Sequence, residues 1–279
     1  MMTAVVNIGK IVSGDIRNPL IDANTILIQD TKILEVGNDL DISGADMVIN
    51  VNGAIIAPGL IDSHYHLTVG DYTPRTKTID YLEGVLQGGV TTVISAGECH
   101  MPGRPSDSKA AKALAIFAAK TFKNYRPAGV KVLGGAVILE SGFTEEDFKE
   151  MAENGVRIVG EIGMGKAKPE EVISMVKWAK KYGMRVQMHV GGASFLCNPT
   201  TADDVIRINP DIASHINGGC TSLPLKEIER IVKEFPGALE IVENGNPKTM
   251  LHVVDMVKER RELDRIIIGT DTPSGYGVS

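Results

Sequence analysis

Two histidines separated by one residue, His64 and His66, follow the apolar segment IIAPGLIDS. Residues two apart on a β-strand project to the same face, so both imidazoles can bind one metal ion. By itself the pair is a weak indication, because a lone histidine is more often a structural residue. The residues that end the other apolar segments of the chain decide what the pair means.

Four further side chains able to bind a metal also end apolar segments, and they are Glu161, His189, His215 and Asp271. If these segments are strands of a (β/α)8 barrel, their C-terminal ends converge on one face, where catalytic groups lie. The resulting six groups exceed the three or four protein ligands that one zinc ion takes, and they suffice for two ions. Nitrogen and oxygen ligands suit zinc, iron, manganese or cobalt.

A carboxylate can bridge two ions through its two oxygens, and Glu161 is the expected bridge because Gly160 and Gly163 leave space around it. Glu98 and Glu140 also end apolar segments, so either could replace Glu161 in this role. The expected arrangement has one ion bound by His64, His66 and Asp271 and the other bound by His189 and His215.

The elements that must position these groups fall into two parts. Residues 1–54 hold short β-type runs separated by Asp, Asn, Gly and Pro, which predict a small all-β module. Residues 55–279 alternate eight apolar runs with amphipathic helical segments, which predicts an α/β fold, a (β/α)8 TIM barrel that ends just after strand eight. TADDVIRI is the weakest of the predicted helices. A doubly wound sheet is the alternative, but metal-binding residues at so many strand ends favour the barrel.

Composition and charge exclude several classes of partner. The chain has 279 residues, 43% of them hydrophobic, and a net charge of −6. Without a basic face or a polybasic cluster, neither nucleic acid nor an anionic membrane is expected as a partner. The first residues do not read as a secretory leader, and no segment reaches the length of a membrane span. Three cysteines without C-x-x-C spacing are expected to be reduced thiols, which indicates a cytoplasmic location.

The segments IIAPGLIDSHYHL and GVTTVISAG, the strand-end His189 and His215, and GTDT around Asp271 together resemble the amidohydrolase superfamily of metal-dependent hydrolases. The N-terminal KIVSGD…NTILIQDTKILEVG also resembles the small β-sandwich of that family. This resemblance covers nearly the whole chain and agrees with the ligand roles inferred above. Because family members usually continue well beyond the strand-eight aspartate, it also implies that the sandwich and the last barrel helix are incomplete here.

Within the superfamily, the chain most resembles hydrolases that open the ring of 6-oxo-1,4,5,6-tetrahydronicotinate to give 2-formylglutarate and ammonia in nicotinate degradation. That resemblance implies Glu161 as the bridge, a pair of divalent ions consisting of zinc and iron, and a homotetramer. Many other cyclic-amide hydrolases of the superfamily carry a carboxylated lysine at the position of Glu161. Dihydroorotase and hydantoinase activities are therefore less expected.

Divalent ions activate water for attack on a carbonyl carbon. Asp271 is expected to be the catalytic acid and base as well as a ligand, because it would lie beside that water and could pass its proton to the leaving nitrogen. The substrate carboxylate needs a cation, and the candidates are Arg75, Lys77 and Arg104, which follow strands one and two. His100, just past strand two, could also contact the substrate, whereas His252 lies within a helical segment and is expected to be structural.

Three hypotheses about function stay open at this point. The leading one is a binuclear metal-dependent hydrolase that cleaves the C–N bond of a cyclic amide. A second is another cyclic amidohydrolase, a deaminase or an N-acyl deacetylase of the same superfamily, since the same activation of water serves these electrophiles. The third is a metal-free oligomeric scaffold, which predicts lost ligands, whereas all the ligand-type residues are present in the sequence.

Overall fold

The structure is a computed structural model that describes residues 1–67, 78–97, 103–163, 165, 167–192, 199–218 and 222–272. The chain divides into two compact units, Met1–Gly59 and Leu60–Ser279. In the structure this division falls after Gly59, whereas the sequence places it after residue 54. The reason is that Ile55–Ile56, expected as the start of the first barrel strand, pairs with Lys10–Val12 inside the small unit.

The small unit consists of short strands in two sheets. Its strands are β1 (Met2–Val6), β2 (Lys10–Val12), β3 (Leu20–Ile21), β4 (Thr25–Gln29), β5 (Lys32–Gly37), β6 (Met47–Asn50) and β7 (Ile55–Ile56). One sheet has the order β5-β4-β1-β6 and the other has the order β3-β2-β7. Ile11 of β2 and Ile26 of β4 belong to one apolar core. The two sheets therefore share a core, as the layers of a small β-sandwich do.

The larger unit holds the eight apolar runs as strands. In the described ranges they are β8 (Leu60–Tyr65), β9 (Val90–Ser95), β10 (Lys131–Leu133), β11 (Ile158–Ile162), β12 (Arg185–Met188), β13 (Ile212–Ala213), β14 (Ala238–Val242) and β15 (Ile266–Gly269). β8, β9 and β10 are neighbours in one parallel sheet, and β11 to β15 are neighbours in another.

Two parallel bridges join these sheets into a closed ring. Val137, just after β10, pairs with Val159 of β11. On the other side, Tyr65 of β8 pairs with Thr272, just after β15. The predicted (β/α)8 barrel is confirmed, and a doubly wound sheet, which has two free edges, does not describe the larger unit.

Helices alternate with the barrel strands. Those in the described ranges are α1 (Thr78–Gln87), α2 (Ser108–Asn124), α3 (Glu145–Glu153), α4 (Pro169–Lys181), α5 (Ala202–Ile208), α6 (Leu225–Glu234) and α7 (Pro247–Glu259). The weakly predicted α5 is present, and a capping box between Thr201 and Asp204 starts it. Helix α1 was not predicted individually from the sequence, since Gly84 lowers its helix propensity. None of the helices in the described ranges is both long and apolar enough to cross a membrane.

The alternation of side chains along β14 shows how the barrel positions its polar groups. Leu239 and Ile241 are buried in the apolar core that the strands share with the surrounding helices. Glu240 lies between them and contacts residues of β8 and of the segment after β13, so it faces the inside of the barrel. The face of β14 that points away from the helices therefore presents a charged side chain to the barrel interior.

Candidate metal centre

His64 and His66 lie at the C-terminal end of β8, and both are buried. Their Nε2 atoms are 3.2 Å apart, so both imidazoles face the same side, as their spacing predicts. His66 Nδ1 lies 3.3 Å from the carbonyl oxygen of Gly97 and therefore donates to it. In the neutral ring the proton of His66 is then on Nδ1, which leaves Nε2 as a potential metal ligand.

Glu161 of β11 is buried at the centre of four imidazoles. Its Oε1 is 2.7 Å from His215 Nε2 and 3.2 Å from His189 Nδ1. On the other side, Oε1 is 3.7 Å from His64 Nε2, and Oε2 is 3.4 Å from His66 Nε2. One carboxylate thus contacts two pairs of histidines, which come from β8 and from the ends of β12 and β13.

Asp271 follows β15 in a left-handed backbone conformation, with φ at 58°. Its Oδ1 is 3.1 Å from His66 Nε2 and 3.4 Å from His64 Nε2. The buried carboxylate of Asp62 holds the preceding residue, because it accepts hydrogen bonds from the Thr270 amide at 2.9 Å and from the Thr270 hydroxyl at 2.6 Å. Asp62 therefore ties β8 to the turn that presents Asp271.

Glu240 is a further fully buried carboxylate beside the cluster. One of its oxygens accepts a hydrogen bond from the Ser63 hydroxyl at 2.5 Å. The other lies 2.7 Å from His64 Nδ1 and accepts a longer bond, 3.3 Å, from the His215 backbone amide. Glu240 therefore touches a histidine on each side of Glu161.

The pKa values of these groups reflect their burial and their pairing with one another. Burial lowers the pKa of His64, but the negative charges of Glu240 and Glu161 outweigh it and raise that pKa to about 9. Burial raises the pKa of Glu161, yet the charge of His64 and hydrogen bonds from His189 and His215 hold it well below its usual range. The pKa of Asp271 is lowered against burial by the hydrogen bond from His66. The carboxylates thus stay charged and need cations beside them.

The donor atoms fit divalent metal ions. Two sets of three side chains have ligand atoms within 4.8 Å of one another, namely His64, His66 and Glu161, and then Glu161, His189 and His215. Glu161 is common to both sets. In the described part of the chain, the buried Nε2 of His189 has no hydrogen-bond partner. A buried imidazole nitrogen without a partner is costly unless a ligand meets it.

Three other predicted site residues that the structure describes, Arg104, Glu140 and His252, make contacts elsewhere. Arg104 donates to Glu140 across 2.6 Å, so Glu140, the alternative bridge, forms an ion pair instead. His252 lies in α7 and contacts Glu229 at 3.1 Å, away from the barrel interior. The remaining candidates, Arg75, Lys77, Glu98 and His100, lie outside the described residues.

Asp62 and Glu240 are two carboxylates at the described site that the sequence did not predict. Both are buried, and each contacts residues far away along the chain. A carboxylate in the middle of the apolar run ALEIV was the available indication for Glu240. Charged residues are almost never fully buried unless they are paired, so such a position deserves to be considered functional.

Comparison with known proteins agrees with the fold and with the cluster. The amidohydrolase family model matches residues 55–199. The chain is 51% identical to enamidase of Eubacterium barkeri over 280 aligned residues, which cover 99% of this chain and 72% of that protein. A crystal structure of enamidase superposes with a TM-score of 0.94 at 50% identity, covering 100% of this chain and 74% of that one. A β-aspartyl dipeptidase from Fervidobacterium islandicum shares the fold, with a TM-score of 0.67 at 18% identity over 97% of this chain and 73% of that one.

The chain belongs to the amidohydrolase family. These findings indicate a hydrolase that acts on carbon–nitrogen bonds of small molecules. Amidohydrolases typically use divalent metal ions, and the His and Glu groups described above can hold them.

Proposed function

We propose that this chain is a binuclear metal-dependent hydrolase that opens a cyclic amide, with 6-oxo-1,4,5,6-tetrahydronicotinate as its substrate. The observation that carries the proposal is the position of Glu161, which is common to two sets of potential ligands. The likeness to enamidase over almost the whole chain supports the choice of substrate. A glutamate on β11, where many cyclic-amide hydrolases carry a carboxylated lysine, is in keeping with that choice.

The proposed ligand set follows the geometry of the cluster. His64, His66 and Asp271 would hold one ion, His189 and His215 would hold the other, and Glu161 would be shared by both. Zinc and iron are the proposed pair, since both accept imidazole nitrogen and carboxylate oxygen. The contacts of Asp271 with both histidines of β8, at 3.1 and 3.4 Å, support its assignment to the first ion.

The reaction consumes two waters. Divalent ions held by these residues would polarise the amide carbonyl and lower the pKa of water. The first water cleaves the amide C–N bond and leaves an enamine, which tautomerises to an imine. A second water converts the imine to the aldehyde of 2-formylglutarate and releases ammonia.

Asp271 is the proposed catalytic acid and base. Its side chain is 18% exposed, whereas those of His64, His66 and Glu161 are at most 3% exposed. Among these four carboxylate and imidazole groups it is therefore the one most open to a substrate. Its carboxylate takes the proton of the attacking water and passes it to the leaving nitrogen. Asp62 keeps the turn that carries Asp271 in place through Thr270.

Arg104 is proposed to bind the substrate carboxylate, with Arg75 and Lys77 as the other candidate cations; His100 is a separate candidate for a contact with the substrate. The ion pair with Glu140 would hold the Arg104 guanidinium in a fixed position. Replacing each of the three cations by alanine tests the assignment. The alanine variant of the cation that binds the carboxylate is expected to show a raised KM with metal content unchanged. Unchanged kinetics in all three variants would exclude them.

The substrate is tested by product analysis with the metal-loaded protein. We expect 6-oxo-1,4,5,6-tetrahydronicotinate to give 2-formylglutarate and ammonia in equal amounts, identified by NMR and an ammonia assay. Dihydroorotate and hydantoin are the comparison substrates. Faster turnover of either one would contradict the proposed substrate, and no turnover of any cyclic amide would contradict the proposed class.

The assembly and the cellular location are proposed from the same likeness. We propose a homotetramer in the cytoplasm that takes a small-molecule substrate and has no nucleic-acid or membrane partner. The acidic net charge of −6 supports the last point. Light scattering of the purified protein tests the tetramer, and a monomer at micromolar concentration would contradict it.

A further inference from the structure

Glu240 is a buried charge that the proposed chemistry does not use. It lies in the middle of β14, is 0% exposed, and is flanked along the strand by the apolar Leu239 and Ile241. Burying a carboxylate is costly unless it is hydrogen-bonded and paired. In the part of the chain that the structure describes, Glu240 makes hydrogen-bond contacts with His64, with the His215 backbone amide and with Ser63, the residue before His64.

The contact with His64 determines which ring nitrogen is free. A carboxylate oxygen accepts hydrogen bonds and cannot donate them when charged, so His64 Nδ1, 2.7 Å away, carries a proton. The lone pair of the neutral ring is then on Nε2, which faces His66 and Asp271 at 3.2 and 3.4 Å. Metal-binding histidines commonly donate their other N–H to a carboxylate in this way, which fixes the ring and makes it a stronger ligand.

The same oxygen of Glu240 also holds the backbone at His215. It accepts the His215 amide at 3.3 Å, and the residue has a positive φ of 34°, a region in which few residues other than glycine are found. One carboxylate therefore restrains the ring of a histidine from one proposed ion and the backbone of a histidine from the other.

We propose that Glu240 is a positioning residue for both halves of the metal centre, and that the ion bound by His64 depends on it most. The inference rests on the proposed binuclear site. The ring of His64 is held directly, whereas His215 is held only through its backbone. Loss of the Glu240 charge is thus expected to weaken the first ion more than the second.

Glu240→Gln removes the charge with little change in shape. The chelator-treated protein is titrated with Zn²⁺ against a competing chromophoric chelator. Wild type is expected to take up two ions, and the variant is expected to bind one of them about 10–100-fold more weakly. Adding Glu240→Gln to His189→Ala, which leaves only the ion at His64, is expected to weaken that remaining ion by a similar factor.

Ile241→Val is the matched control, because Ile241 lies in the apolar core on the same strand. It should lower stability by about 0.5–1.5 kcal/mol without changing either Zn²⁺ affinity. Glu240→Gln affinities equal to those of wild type, or an equal loss in Ile241→Val, would overturn the proposal.

Ser63→Ala keeps the proposal testable if Glu240→Gln does not fold. It removes the hydroxyl that donates to Glu240 at 2.5 Å and that also lies 2.9 Å from the Ile268 carbonyl oxygen. A Zn²⁺ affinity lowered by a few-fold at one site is the expected result, and unchanged affinity would count against Glu240. If wild type does not bind two ions, the binuclear site itself is contradicted. If wild type binds two ions and the variants bind them equally well, only the role of Glu240 is contradicted.

Discussion

The metal-free protein is expected to lose stability as the pH rises from about 6.5 to about 9. The pKa of a histidine in an unfolded chain is about 6.5. In the folded protein, the charges of Glu240 and Glu161 overcome the effect of burial and raise the pKa of His64 to about 9. A raised folded pKa contributes stability that is complete below the unfolded pKa and is lost as the pH passes through the folded one.

The size of this loss follows from the two pKa values. One pH unit of difference corresponds to about 1.36 kcal/mol, so the raised pKa of His64 accounts for about 3 kcal/mol. His189 acts in the same direction, since its hydrogen bond to Glu161 raises its pKa against the effect of burial. Glu161 and Asp271 do not titrate in this range, because the pKa values of both carboxylates are lowered.

The assay is urea unfolding of chelator-treated protein at a series of pH values. The free energy of unfolding should fall by about 3 kcal/mol or more across the range in wild type, and by much less in His64→Gln. The metal-loaded protein should show a weaker dependence, because its ligands are already deprotonated. A flat profile in metal-free wild type, or the same fall in His64→Gln, would refute the reasoning.

Three further predictions concern single residues. His189→Ala should remove one of the two ions and nearly all turnover, measured by elemental analysis and ammonia release; full activity would contradict the assigned ligands. Asp271→Asn should lower kcat by about 10²–10⁴-fold with circular dichroism unchanged, and an unaltered kcat would exclude Asp271 as acid and base. Gly269→Ala should lower both thermal stability and metal content, because its Cβ would lie 2.7 Å from the Cβ of His64; wild-type values of both would show that the strand yields easily.

The barrel could be predicted from the sequence because each of its strands and helices is indicated by the pattern of a short stretch of residues. Each of the eight apolar runs is short, and most of the helices between them have a recognisable start, such as Asp107 before α2, or Asn246 before α7 with Pro247 as its first residue. Helix α1 was not predicted individually because Gly84 lowers the helix propensity of its segment. The strand Ile55–Ile56 was assigned to the barrel because nothing local shows that its partner is Lys10–Val12.

The part of the candidate site that could be predicted consists of residue types that commonly bind metals and that lie at the ends of predicted strands. His64, His66, Glu161, His189, His215 and Asp271 stand at strand ends, and the barrel brings them together. Asp62 and Glu240 differ because their role depends on contacts across the barrel, Asp62 with Thr270 and Glu240 with His64. Such contacts exist only once the ring of strands has closed, so a single sequence offers no more than an unexpected charge in an apolar run.

The most direct test of the binuclear site is anomalous diffraction from crystals of the metal-loaded protein, recorded at the zinc and iron absorption edges. Two peaks are expected, one on either side of the Glu161 carboxylate, each about 2.0–2.2 Å from its ligand atoms. One peak should lie beside His64, His66 and Asp271, and the other beside His189 and His215. A single peak, or peaks away from Glu161, would contradict the binuclear site.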